Sequence, residues 1–424
     1  MTLADMKALA RRVLPPAVRL HYLGIKQRLA PVSTLPTLQA FTLQPDDSPR
    51  PRVTLFINGI RRSSAFGGVL TGLEFFCALA AALRRQNDCD VRIVLAQDKE
   101  VGDTLALAPA CRRRGVPLDA IEILPARVPQ ILDVRRNDLF VAFDSLLVLS
   151  VHDLLLQQRA LYGLTDRPLV YIMQDYEPGF SAFSVTHALS AEAYGLGDDI
   201  FGVVNTKLLK DYFEVRGHRF QRTDCFEPRM NPDLAALALL PRERVRRPKI
   251  LVYGRPWIQR NCWPALIEGL RLWAQNDPRS RSWAVVSAGD AHLPIPLARG
   301  LKMTSVGKLT LADYGALMLE SAVGVSLMAS PHPSYPPLEM AHFGMLTITN
   351  RFANKSWDKV HDNILPIDSI RPQAIAAALS AACARFEADP TQGDRGQSGM
   401  PHYLSTSDEF AFADELAAAL LASA

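Results

Sequence analysis

The sequence predicts an α/β protein built from two Rossmann-like domains. Three observations carry that expectation. At 424 residues the chain is longer than one ordinary hydrophobic core serves. Short apolar runs rich in β-branched residues alternate with helix-length segments, as βαβ units around a parallel sheet require. That alternation breaks once, around Cys225–Pro248, and then restarts. The break holds Pro228, Pro232, Pro241 and Pro248 and the charged run Arg242, Arg244, Arg246 and Arg247, a composition typical of linkers.

Taken in order, residues 1–50 form a leading segment. Met1–Pro31 carries Lys7, Arg11, Arg12, Arg19, Lys26 and Arg28 against one acid, Asp5, and lacks the apolar run of a secretory leader. Leu3, Met6, Leu9 and Val13 can share a helical face. Such a helix suits either an anionic membrane surface or the protein's own flank. The prolines of Pro31–Arg52 read as an extended linker.

The first domain, 51–235, opens with the strand Val53–Asn58 (VTLFIN), then Gly67-Gly68 and a helical apolar pattern over Val69–Arg85. Further strands are expected at Val91–Ala96, Ala120–Leu124, Asp138–Phe143, Leu169–Met173 and Ile200–Val204. The second domain, 245–405, repeats the pattern. Its expected strands are Lys249–Tyr253, Ser282–Ala288, Val323–Met328 and Leu346–Thr349, with helices at Trp263–Gln275, Leu311–Glu320 and from Pro337. The last segment, 406–424, reads as an amphipathic helix over Ser407–Ala424 capped by Ser407.

Composition narrows the function. A formal charge of +4 is small for this length, and no basic patch interleaves with aromatics as nucleic-acid binding demands. The six cysteines are dispersed without a CxxC pair, which argues against a zinc site and for a reducing, cytoplasmic compartment. No run approaches the ~20 apolar residues of a membrane span. The D-x-D at Asp88-Cys89-Asp90 precedes a strand and so belongs to a turn on the far side of the sheet. No metal cofactor is therefore expected.

In open α/β sheets ligands bind beyond the carboxyl ends of the strands, so four strand-to-helix loops matter. In Asn58–Gly72, Gly67 and Gly68 let the backbone approach a ligand at a helix start. In Gln174–Phe180, Asp175 and Glu177 bring two carboxylates. In Tyr253–Asn261, Arg255 and Arg260 suit charge-assisted forks on a diphosphate. In Ser330–Asn350, Pro337 and Glu339 open a helix.

The string PPLEMAHFGMLTITN resembles the signature of GT-B glycosyltransferases, particularly family 4. The strings MQDYEPGF, VGVSLM and SPHPSYPPLEMAHFG resemble the rhamnosyltransferases typified by WsaF, from about Val53 to the C-terminus. The resemblance implies a GT-B fold, with two Rossmann-like domains facing a central cleft and a C-terminal helix crossing back to the first. It implies retaining transfer of L-rhamnose from dTDP-L-rhamnose to a glycan or lipid-linked glycan acceptor during polysaccharide biosynthesis.

It further implies that Glu339 holds the ribose hydroxyls and that Gly254-Arg255 belongs to a phosphate-binding loop. Lys308, Ser334 and Tyr335 fall in matching donor-binding strings, and Asp175 or Glu177 would face the sugar and acceptor. One position departs. Family 4 carries a second glutamate eight residues before the first, where this chain has Pro331 beside His332. Rival readings are a transferase for another nucleotide sugar, a GT-B nucleotide-sugar 2-epimerase, and a non-catalytic GT-B-like scaffold subunit.

Overall fold

Strands whose every residue is buried organise this molecule, because a parallel sheet covered by helices on both faces leaves no polar side to show. The computed structural model describes residues 38, 40–60, 67–102, 104–240 and 246–423; the expected basic helix at 1–31 lies outside them. The first half runs β1 (Phe41–Asp46), β2 (Arg52–Ile57), α1 (Gly67–Asn87), β3 (Asp90–Leu95), α2 (Ala108–Arg114), β4 (Ile121–Leu124), β5 (Gln130–Arg135) and β6 (Asp138–Ala142). It continues with α3 (Ser145–Tyr162), β7 (Leu169–Met173), α4 (Val185–Ala193), β8 (Ile200–Asn205), α5 (Lys207–Val215), β9 (Arg222–Phe226) and α6 (Pro232–Ala238). The second half has β10 (Arg247–Gly254), α7 (Trp263–Asn276), β11 (Ala284–Gly289), β12 (Ile295–Ala298), β13 (Leu301–Gly307) and α8 (Leu311–Glu320). Then come β14 (Ser321–Val325), α9 (Tyr335–His342), β15 (Leu346–Asn350), β16 (Ile364–Ile367), α10 (Pro372–Ala388) and α11 (Ala413–Ala422).

Two seven-stranded sheets result, one per half. The first has the order β4-β3-β2-β6-β7-β8-β9 and is parallel throughout. The second has the order β12-β13-β11-β10-β14-β15-β16, and only the β12–β13 pair is antiparallel. In each sheet the chain winds outward on one side and returns to wind the other way. The reversals lie between β2 and β6 and between β10 and β14, so a crevice opens beyond their carboxyl ends.

Two expectations need correction. Phe41–Asp46 is a strand rather than part of a linker, pairing in parallel with β5 from Phe41↔Gln130 onward. Phe41 packs edge-on against Phe56 at 5.1 Å, and Arg135 grips Asp46 at 2.8 Å. Those contacts outweigh the prolines around it. The C-terminal helix begins at Ala413, not Ser407, and Ser407 caps nothing; its hydroxyl meets that of Ser405 at 2.9 Å. The intervening residues turn at 409–412 rather than continue the helix, because this stretch carries the chain from one domain core to the other. Tyr403 is buried in the second core, whereas Phe410 packs against Phe75 and Phe226 of the first.

The last helix therefore returns to the first domain, where Leu416 and Leu420 lie against the α1 core. The earlier crossing occurs before residue 235, since Met230 and Leu234 already belong to the second core. Both crossings are tied together: the Met230 amide donates to the Tyr403 carbonyl at 2.9 Å, and Arg229 donates to the carbonyls of Ser405 and Ser407.

The amino-terminal edge of the first sheet is held by charge. Asp138 is fully buried and takes both oxygens to Arg52, at 3.1 and 2.7 Å, with the Arg92 guanidinium 3.7 Å away. Removing one partner of a buried pair leaves the other uncompensated, at about 3–5 kcal/mol. Asp138→Ala should lower unfolding free energy by about that amount in urea denaturation. A loss below about 1 kcal/mol would contradict the role given to this pair.

Candidate active site

At the carboxyl end of β10 the chain needs a residue without a side chain. A Cβ on Gly254 would lie 1.9 Å from the Ser287 hydroxyl of β11. Glycine lets the two strands close up and delivers Arg255 to the crevice, its Nε 3.7 Å from Asp290. A short turn, Gln259–Asn261, then presents Arg260. The Arg260 carbonyl accepts the Ala329 amide at 2.7 Å, binding this turn to the loop after β14.

The loop after β14 is braced from below. Asn350, the last residue of β15, accepts the Met328 amide at 2.7 Å and donates back to the Met328 carbonyl at 3.1 Å. Buried Lys355 donates to the Met328 and His332 carbonyls at 2.9 and 3.3 Å, and its burial pulls its pKa down to about 8. Ser334 adopts φ +70°, and its amide donates to His332 Nδ1 at 3.0 Å. Tyr335 then begins α9, with Pro336 and Pro337 in the first turn, where an amide proton is not needed. On α9 the Glu339 carboxyl is enclosed, although the residue keeps some surface. Burial pushes it up to about 7, with the Tyr314 hydroxyl beside it favouring the anion. Because β10 and β14 pair in parallel, Arg255 just past the first and α9 following the second leave the sheet at one edge.

The first domain meets this edge through the loops after β7 and β8. Asp175, 5% exposed, accepts from the Ser330 hydroxyl and lies 3.7 Å from Arg260 Nε. The Arg260 guanidinium also stacks over Phe180, 3.9 Å from the ring centre. Burial lowers its pKa from the usual arginine value, with Asp175 opposing that loss. Tyr335 spans the cleft: its hydroxyl accepts from Asn205 Nδ2 at 3.0 Å, and burial drives its pKa up to about 12.

Of the residues picked from sequence, Asp175, Arg255, Arg260, Ser334, Tyr335 and Glu339 are gathered on these facing edges. Gly67 and Gly68 open α1, and a Cβ on Gly68 would lie 3.7 Å from Gln174 Oε1. Lys308 is exposed just past β13, two strands along from β10. Glu177 turns the other way. It accepts the Ser145 amide at 2.7 Å, at the first turn of α3, and burial with the nearby Asp144 charge pushes it up to about 8. It anchors the loop inside the first domain while its neighbour faces the second.

The sequence pattern does not point to Asn205, Gln174, His332 or Lys355, which the fold brings to the same edges. Only a polar residue ending an apolar strand, as Asn205 does, could have signalled them.

Asp88 and Asp90 lie at the amino end of β3 and are matched by Arg50, at 2.8 and 3.1 Å, with Arg135 2.7 Å from Asp90. Among the described residues, no three His, Cys, Asp or Glu side chains are grouped to hold a metal ion, and no helix is long and apolar enough to cross a membrane. A surface hollow lined by Trp273, Asp277, Arg279 and Ser380 lies at the carboxyl end of α7, on the opposite edge from this cleft.

Comparison with known proteins places this arrangement. A family model described as the WsaF N-terminal domain matches residues 52–207, and one described as the WsaF C-terminal domain matches residues 248–380. The O-antigen biosynthesis protein RfbC of Myxococcus xanthus is 33% identical over 214 residues, covering 50% of this chain and 16% of that protein. Among solved structures, WaaG, a glycosyltransferase involved in lipopolysaccharide biosynthesis, superposes with a TM-score of 0.53 at 15% identity, covering 87% of this chain and 99% of its own. An α,α-trehalose-phosphate synthase from Burkholderia vietnamiensis gives 0.55 at 12% identity, covering 88% and 100%. These structural likenesses speak to fold alone.

The Glu339 environment makes a testable claim. An acid whose pKa rises on folding holds its proton more tightly in the native state. Its contribution to stability is complete below the unfolded value of 4.5 and is lost as pH climbs through about 7. Relative to Glu339→Gln, the wild type should lose on the order of 2 kcal/mol between pH 4.5 and 8 in paired urea titrations. A constant difference across that range would show that the carboxyl is not enclosed.

Proposed function

The chain belongs to the WsaF-like GT-B glycosyltransferases, and on that premise we propose that it moves L-rhamnose from dTDP-L-rhamnose to a growing surface polysaccharide of the O-antigen kind. The chain matches only a small part of the one curated relative named above, so the acceptor is inferred from chemistry. The observation that carries the reading is Arg260. It rises from the phosphate-loop side of the second domain and reaches Asp175 and Phe180 of the first. A diphosphate in the crevice would meet that guanidinium, Arg255 and Lys308, with the amino end of α9 behind them.

The difficult step is departure of the nucleoside diphosphate, as negative charge builds on its oxygens. Preorganised cations in a site that excludes water stabilise such charge more than water does. Glu339 would clasp the ribose hydroxyls and fix the nucleotide's orientation. Asp175, held by Ser330 and Arg260, would face the incoming acceptor hydroxyl. In a retaining reaction the departing phosphate can take the acceptor's proton on the same face, so no protein nucleophile is needed. In this reading, which assigns the chain to family 4, the cations are side chains and no bound metal takes part.

We place the enzyme in the cytoplasm, with the basic segment Met1–Pro31 docking on an anionic membrane surface where a lipid-linked acceptor would lie. Removing that segment should reduce co-sedimentation with anionic vesicles while leaving donor binding unchanged. Equal sedimentation of both forms would remove the membrane proposal.

Calorimetry with dTDP, UDP and GDP tests the function directly. Preference for dTDP, with rhamnosyl transfer from dTDP-L-rhamnose, is expected. Binding of none of the three would sink the transferase reading in favour of a scaffold. Arg255→Ala should cut turnover about 100-fold or more, as loss of a transition-state donor does, with little change in melting temperature. A variant that merely melts earlier would remove Arg255 from the phosphate role.

A further inference from the structure

Reading the cleft as a donor site leaves several buried polar atoms without work. Asn205, wholly buried at the end of β8, donates through Nδ2 to Gln174 Oε1 at 2.8 Å and to the Tyr335 hydroxyl at 3.0 Å. Its own Oδ1 then has no partner, and neither has Gln174 Nε2. On the facing domain His332, 5% exposed, accepts the Ser334 amide on Nδ1, which fixes the proton of the neutral ring on Nε2. That Nε2 has no partner either, although the ring lies only 5.9 Å from that of Tyr335. Native proteins leave few such groups unsatisfied, and those that persist call for an explanation such as a missing ligand.

Two features distinguish this cluster from an ordinary polar core. Its unfilled atoms are two donors and one acceptor, all on uncharged side chains, the complement of a hydroxylated ring. They come from both domains and meet around Tyr335, which Asn205 hydrogen-bonds and whose ring faces that of His332.

We propose that Gln174, Asn205 and His332 form the subsite that reads the oxygens of the transferred, uncharged pyranose. The inference rests on the donor-site reading above and adds the residues that recognise the sugar itself. His332 and Gln174 donate to ring substituent oxygens, and Asn205 Oδ1 accepts from a hydroxyl. Burial, with Lys355 and Arg260 nearby, draws the His332 pKa down to about 4, so the imidazole stays a neutral donor at working pH. Because the subsite straddles the cleft, it is complete only when the domains meet.

Two substitutions at one position separate recognition from structure. In His332→Asn the side-chain oxygen can still accept the Ser334 amide, but nothing reaches where Nε2 stood. In His332→Gln the amide nitrogen restores a donor at that reach. Titration calorimetry with dTDP and dTDP-L-rhamnose should show the Asn variant weakened about tenfold toward the sugar nucleotide and less than about twofold toward dTDP. The Gln variant should recover most of the loss.

Equal weakening of both ligands, or no weakening of either, in a variant with wild-type melting temperature would overturn the subsite while leaving the donor site standing. Failure of the wild type to bind either ligand would overturn the donor reading and the subsite with it.

Discussion

The architecture turns on one buried carboxylate. Asp175 sits at the carboxyl end of a first-domain strand with little access to water, and beyond its own loop its carboxylate is partnered by Ser330 and Arg260 of the other domain. An ionised group removed from water is tolerable only when hydrogen-bonded and matched in charge. Ser330 and Arg260 supply the hydrogen bond and the charge. Arg260 does more than neutralise, since its backbone carbonyl also holds Ala329 and thereby the start of the loop that carries His332, Ser334 and α9. The facing of the domains, the shape of the loop and the site's positive charge thus share one residue pair.

The two edges of each sheet divide labour. Amino ends carry ion pairs that finish the fold: Asp138 with Arg52 and Arg92, and Asp90 with Arg50 and Arg135. Carboxyl ends bring Arg260 Nε, His332 Nε2 and Gln174 Nε2, each without a hydrogen-bond partner, to the cleft between the domains. The reversal of winding between β2 and β6 and between β10 and β14 opens a crevice in each sheet, and the two crossings tied at Met230 and Tyr403 keep the crevices opposed. The glycosyltransferase fold follows from this topology, whereas its chemistry depends on the few loops it displays.

Much of the fold was legible because completely buried strands announce themselves as apolar runs; Leu169–Met173 is found where the sequence puts it. The PPLE string located α9 and Glu339 for the same kind of reason, a local signal with a local cause. Strands β1 and β5 were not legible, since alternate residues face solvent and prolines crowd the first. Ser407 failed as a cap because a tertiary demand, reaching Phe410's pocket, overrode a local preference. The opposite directions of Asp175 and Glu177, two residues apart, are set by a short 3₁₀ turn and by the amino end of α3, neither of which spacing reveals. His332 gains its meaning only from a neighbouring amide and from what lies across the cleft.

The central claim is that guanidinium groups of the second domain and the carboxyl of α9 grip one nucleotide in the crevice closed by Asp175. A crystal structure of the protein with dTDP tests it most directly. The account predicts diphosphate oxygens within hydrogen-bond reach of Arg255 and Arg260 and ribose hydroxyls on Glu339. A nucleotide seated elsewhere, or one bound without touching either the arginines or Glu339, would contradict it.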